Sequence, residues 1–176
     1  GASMDGFIDG RGGNDALVYG WEAETWDDAV EVAFRASNEA TASAIGDTVL
    51  NVETIIAGTH GDDVFAGPNL ANDWTISDVN VGSIDNAATV TFSGFDNLNG
   101  GNGVDAFVFT EDGDLDGNLD GGDGDDLLNL SGLAVTIDAR VTAADAGQAG
   151  YNGHTLDFAA IESMTAGSGD DTFTFD

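Results

Sequence analysis

Gly100-Gly101-Asn102-Gly103-Val104-Asp105-Ala106-Phe107-Val108 and Gly121-Gly122-Asp123-Gly124-Asp125-Asp126-Leu127-Leu128-Asn129 decide how this chain folds. Both read G-G-x-G-x-D-x-U-x, with U a large apolar residue, and the second copy begins 21 residues after the first. Three further copies each depart at one fixed position. Ala166-Gly167-Ser168-Gly169-Asp170-Asp171-Thr172-Phe173 lacks the first Gly. Gly10-Arg11-Gly12-Gly13-Asn14-Asp15-Ala16-Leu17 and Gly58-Thr59-His60-Gly61-Asp62-Asp63-Val64-Phe65 lack the second. Self-similarity of this kind marks a solenoid, where each unit buries its apolar face only by stacking on the next.

The flanks repeat as well. Phe95-Asp96-Asn97-Leu98 and Ile161-Glu162-Ser163-Met164 precede two copies at the same offset, and Val52-Glu53-Thr54-Ile55 precedes a third with one residue inserted. After the turns, Phe107/Phe109, Leu128/Leu130, Phe173/Phe175 and Leu17/Tyr19 alternate with other residues. Period two is the signature of a strand with one buried face. The motif aspartates Asp15, Asp63, Asp105, Asp126 and Asp171 are separated by 48, 42, 21 and 45 residues. The chain therefore reads as all-β, a parallel β-solenoid of β-helix or β-roll type with coils of about 21–24 residues. The longer intervals are read as two coils each, with hidden strands at Val30/Val32/Phe34, Trp74/Ile76 and Val135/Ile137 with Val141. About eight coils, stacked at roughly 4.8 Å, predict a rod roughly 35–40 Å long. Residues 21–46 are rich in Ala and Glu, yet Val30, Val32 and Phe34 alternate. Strands are expected there ahead of a short helical cap.

Charge narrows the function classes. The chain carries 33 Asp and Glu against three arginines, a formal net charge of −30. Such a surface repels phosphate backbones, which argues against nucleic acid as a partner. It also repels itself unless cations or salt screen it. With 41% hydrophobic residues, the chain nonetheless has material for a core. Cysteine is absent, so stability must come from core, hydrogen-bond ladders or metal. No run of 18 apolar residues predicts a membrane span. Gly1-Ala2-Ser3 before Met4 reads as a cloning scar, and residues 4–176 as one solenoid from a longer array. Uncapped solenoid ends favour end-to-end stacking.

The turns carry the chemistry. Glycines at Gly100, Gly103, Gly121 and Gly124 let backbone carbonyls turn toward one point, where a side chain would block them. Asn102, Asp105, Asp123 and Asp126 add side-chain oxygens, making an oxygen-only cage that suits Ca²⁺ better than Mg²⁺. Asp15, Asp63 and Asp171 are the corresponding ligands in the degenerate copies. The competing reading is a turn in which Asp bonds the nearby backbone and no ion is needed. Between the two full copies, Asp112, Asp114 and Asp116 fit D-x-D-x-D-G, with Asp123 at position twelve. That spacing suits a calcium loop, although its flanks read as strands. His60 and His154, the latter after Asn152-Gly153, read as surface turn residues. Trp21, Trp26 and Trp74 read as packing residues.

The nonapeptide resembles the hemolysin-type calcium-binding repeat of RTX proteins, and the spaced arrangement is similar to repeat regions of large bacterial surface and adhesin proteins. The resemblance covers about 45 of the 176 residues. It implies a parallel β-roll with Ca²⁺ in its turns. Here the nonapeptides are never back to back, which predicts a wider helix with intermittent ions, and a shared ion between the copies at Gly100 and Gly121. The expected role is a secreted, extracellular structural or adhesive module at the bacterial surface, folded by calcium, with no catalytic residues. Its expected partners are calcium ions, other copies of itself end to end, or cell-surface glycans. A glycan-binding or polysaccharide-processing β-helix and a self-assembling fibre are the alternatives.

Overall fold

The computed structural model describes residues 3–20, 29–36, 38–58, 60–86 and 88–176. Strand is the only regular structure among them. The chain passes back and forth between two sheets. It enters as β1 (Ile8–Asp9) in the first and β2 (Ala16–Val18) in the second. It returns to the first sheet as an antiparallel meander, β3 (Glu31–Ala36), β4 (Glu39–Ala42) and β5 (Val49–Leu50). Single passes follow at β6 (Thr54–Ile56) and β7 (Val64–Ala66). A second meander, β8 (Asn72–Asp78), β9 (Val81–Asp85) and β10 (Thr89–Ser93), lies in the second sheet. Then β11 (Asn97–Asn99), β12 (Asp105–Phe109), β13 (Asn118–Asp120) and β14 (Leu127–Asn129) alternate singly between the sheets. The third meander is β15 (Asp138–Ala143), β16 (Ala146–Tyr151) and β17 (His154–Ala159), in the first sheet. β18 (Ser163–Thr165) and β19 (Thr172–Phe175) complete the described chain.

The expected solenoid is there: successive passes pair in parallel and stack in one direction. The 21-residue coil holds where β11 meets β13 (Leu98 opposite Leu119) and β12 meets β14 (Phe107 opposite Leu128). The longer intervals are resolved differently from the sequence reading. They are not pairs of plain coils but coils enlarged by a meander. Val64 of β7 lies opposite Asn97 of β11, an offset of 33 residues, because the β8–β10 meander lengthens that coil. There are accordingly fewer coils than the eight expected. Three strands run up, down and up, so a meander restores the chain's direction and the winding continues. Each is laid down backwards, as β5–β4–β3, β10–β9–β8 and β17–β16–β15 in the spatial order.

Hidden strands occur where two of the three alternations placed them, and the third, expected at Val135/Ile137 with Val141, takes in only Val141 because its strand starts at Asp138. Val30 directly before β3 and Val32 within it are fully buried, Trp74 and Ile76 lie inside β8, and Ile137 directly precedes β15. Of residues 21–46, positions 29–36 and 38–46 show strands, turns and unstructured backbone; residues 21–28, with Trp21 and Trp26, lie outside the described residues. The core is aromatic at its centre. Phe65 sits 4.9 Å from Phe92, 5.1 Å from Phe95 and 5.8 Å from Trp74, and Trp74 stacks on Phe107 at 5.2 Å. Aromatic pairs at these separations add to plain area burial. Phe173 and Phe175 depart from the inward-facing reading. They are 46% and 76% exposed, since β19 is the edge strand of its sheet among the described residues.

Candidate metal centre

The five motif turns fall on two edges of the solenoid. Those ending in Asp15, Asp105 and Asp126 lead into the second sheet, and those ending in Asp63 and Asp171 lead into the first. Among the described residues, the two full copies are the ones that stack directly on each other. Asn102 and Asp123 form a parallel bridge, with Gly103 N–H donating to Asp123 O (2.7 Å) and Asp123 N–H to Gly101 O (2.9 Å). This is the pair expected to share an ion.

Each motif Asp stands where the chain enters a strand, and in four of the five the carboxylate reaches the preceding rung. Asp126 Oδ1 accepts Asp105 N–H (2.8 Å), and Asp105 Oδ1 accepts Asn72 N–H (3.0 Å). Asp63 Oδ1 accepts Val30 N–H (2.6 Å), and Asp171 Oδ1 accepts Ile137 N–H (2.8 Å). The ladder continues through residues not counted as site residues in the sequence reading. Asp126 N–H donates to Glu162 (2.6 Å), Asp63 N–H to Asp96 (3.3 Å) and Asp15 N–H to Glu53 (2.9 Å). These three acids belong to the apolar–acidic–polar–apolar steps, whose recurrence was the available signal.

The ladder uses only half of each carboxylate. Asp63, Asp105 and Asp126 are fully buried, yet Oδ2 of each, and of Asp15, has no hydrogen-bond partner. A buried ionised carboxylate without compensation costs several kcal/mol. Burial accordingly raises their pKa values. Asp105 is pushed up to about 6, first by desolvation; the Asn72 side-chain amide opposes this and the charge of Asp126 adds to it. Asp63 and Asp126 are raised for the same leading reason. Raised pKa values of this kind mean that burial disfavours the charged form at each of these three carboxyls.

Glycine makes room for that arrangement. A Cβ on Gly121 would lie 1.9 Å from Ala160 O and 2.6 Å from Asp126 Oδ2. One on Gly100 would lie 2.3 Å from Gly121 O and 2.6 Å from Asp105 Oδ2. In both full copies, the unpartnered carboxylate oxygen and a carbonyl of the next coil thus converge on the face left open by the first Gly. An unpartnered acidic oxygen beside carbonyl oxygens fits a hard cation.

The acidic segment after β12 behaves otherwise. Strand β13 separates Asp112, Asp114 and Asp116 from Asp123, so the twelve positions do not close one loop. Asp112 is exposed, Asp114 is buried and Asp116 is exposed. Asp114 and Asp116 instead meet His154, and ligand atoms of the three lie within 4.8 Å of one another. His154 follows a two-residue Asn152-Gly153 turn as read, but its imidazole Nδ1 is 2.7 Å from Asp114 Oδ2. Sequence spacing could not pair residues from two different coils. No family model, curated protein or solved structure matches this chain.

Proposed function

We propose that the chain is a calcium-stabilised structural or adhesive repeat module of RTX-like type, which folds when Ca²⁺ neutralises its strand-entry aspartates after export to the extracellular side of a bacterial cell. The observation that carries this reading is the unpartnered, buried Oδ2 on four of the five motif aspartates, Asp15, Asp63, Asp105 and Asp126. A purely structural turn would need one carboxylate oxygen, which the ladder already occupies at Asp63, Asp105 and Asp126. The second oxygen is surplus unless an ion takes it. Calcium tolerates irregular oxygen sets, and extracellular modules of weak affinity fill at millimolar concentration. The net charge of −30 opposes compaction until cations are present, so binding free energy becomes folding free energy.

Crystals soaked in calcium and measured at long X-ray wavelength test the assignment of residues. The expected result is anomalous density at the stacked Gly100 and Gly121 turns, roughly 2.3–2.6 Å from the Asp105 and Asp126 carboxylates. Ordered turns without density there, at millimolar calcium, would contradict it.

A further inference from the structure

The tip of the β16–β17 hairpin reaches the turn that follows β12, and a second constellation of metal-ligating groups forms between them. Asp114 is 5% exposed and its backbone bridges to Val79. Asp116 is anchored through Asn80, whose Oδ1 accepts its amide (2.9 Å) and whose Nδ2 donates to its carboxylate (3.2 Å). His154 begins β17 after Asn152 and Gly153, which take φ of 50° and 84° as a tight two-residue hairpin turn requires.

The supporting contacts are those that metal ligands commonly carry. Asp114 Oδ1 accepts the Tyr151 hydroxyl (2.9 Å) and Leu115 N–H (2.9 Å), leaving Oδ2 toward His154. The Tyr151 ring lies along the His154 imidazole, with centroids 6.5 Å apart and planes at 25°. The carboxylate is thus oriented by two donors and the imidazole by a ring, while one side of the group faces solvent. Three protein ligands with an open side is the arrangement of an accessible metal site that completes its shell with water.

We infer that Asp114, Asp116 and His154 bind a borderline divalent ion of the zinc class, separately from the calcium turns. The imidazole decides the class. Calcium takes oxygen ligands, whereas one imidazole with two carboxylates suits borderline divalent ions. The ion would sit between His154 Nδ1 and Asp114 Oδ2, which are 2.7 Å apart. Metal–ligand bonds of roughly 2.0–2.2 Å require those two atoms to part slightly, which a half-exposed imidazole can do. Bound there, the ion ties the β12–β13 turn to the β16–β17 hairpin.

Zinc titration of metal-stripped protein by calorimetry, in millimolar calcium to fill the oxygen sites, tests the inference. One zinc per chain is expected, with His154→Ala losing more than about tenfold in affinity and keeping the calcium response. Equal zinc uptake by His154→Ala would assign the ion to the general acidic surface and overturn the proposal. In the unmutated protein, the His154 imidazole resonances should shift with zinc and not with calcium. An imidazole unmoved by bound zinc would overturn it too, whatever the variant does.

Discussion

At the residue scale, the strand-entry aspartate joins two roles that a sequence reading treats as rivals. One oxygen takes a backbone N–H from the neighbouring rung, as Asp126 does from Asp105, and the other is buried without a partner. Asp126→Asn separates them, because an amide oxygen still accepts the N–H while the charge is gone. In chelator its melting temperature should match or exceed that of the unmutated chain, since a buried charge has been removed. Its gain on adding calcium should shrink. A full calcium gain in this variant would leave Asp126 with the ladder role alone. The glycine and aspartate positions were legible because each obeys a local rule, that of a backbone bend or a short acidic side chain. Glu53, Asp96 and Glu162 were visible as a recurring step but not as ladder acceptors. Their donors lie 38, 33 and 36 residues away, and only the true length of each coil brings them together.

At the element scale, the meanders were the feature hardest to read. Their strands alternate as strands should, but nothing in period two distinguishes a parallel rung from the arm of a hairpin. The turn residues were the usable signal. Asn80 and Asp145 take φ of 55° in two-residue links that follow a register shift at the end of β8 and of β15, and Asn152-Gly153 closes a third hairpin. Two meanders share a further device. Gly82 of β9 lies opposite Phe92, and Gly147 of β16 lies opposite Phe158. A Cβ on Gly82 would sit 2.3 Å from Thr75 O and 2.7 Å from Phe92 Cζ. Gly82→Val should therefore destabilise the fold by about 1–3 kcal/mol through overpacking, read as a lower denaturant midpoint. An unchanged midpoint would show that the ring over Gly82 moves aside freely.

At the scale of the whole molecule, a strongly acidic chain holds acids buried in a stacked ladder. The all-β solenoid was legible from five copies of one turn, because a repeat forces stacking whatever its loops do. The number of coils was not, since hairpin insertions add residues without adding coils. The buried acids set the response to pH. Asp105 is raised from an ordinary 3.8 to about 6, so the folded chain holds a proton that the unfolded chain has lost between those values. That stabilisation is complete below the lower value and is lost as pH rises through the upper one. Above it, the proposed calcium would take over the proton's role at the site. The most direct measurement is thermal unfolding by far-ultraviolet circular dichroism at about pH 5 and about pH 7.5, in chelator and in millimolar calcium. The chelated protein should melt several degrees lower at the higher pH, and calcium should restore most of the loss there while acting less at the lower pH. Equal melting with and without calcium at the higher pH would contradict the proposed role of calcium.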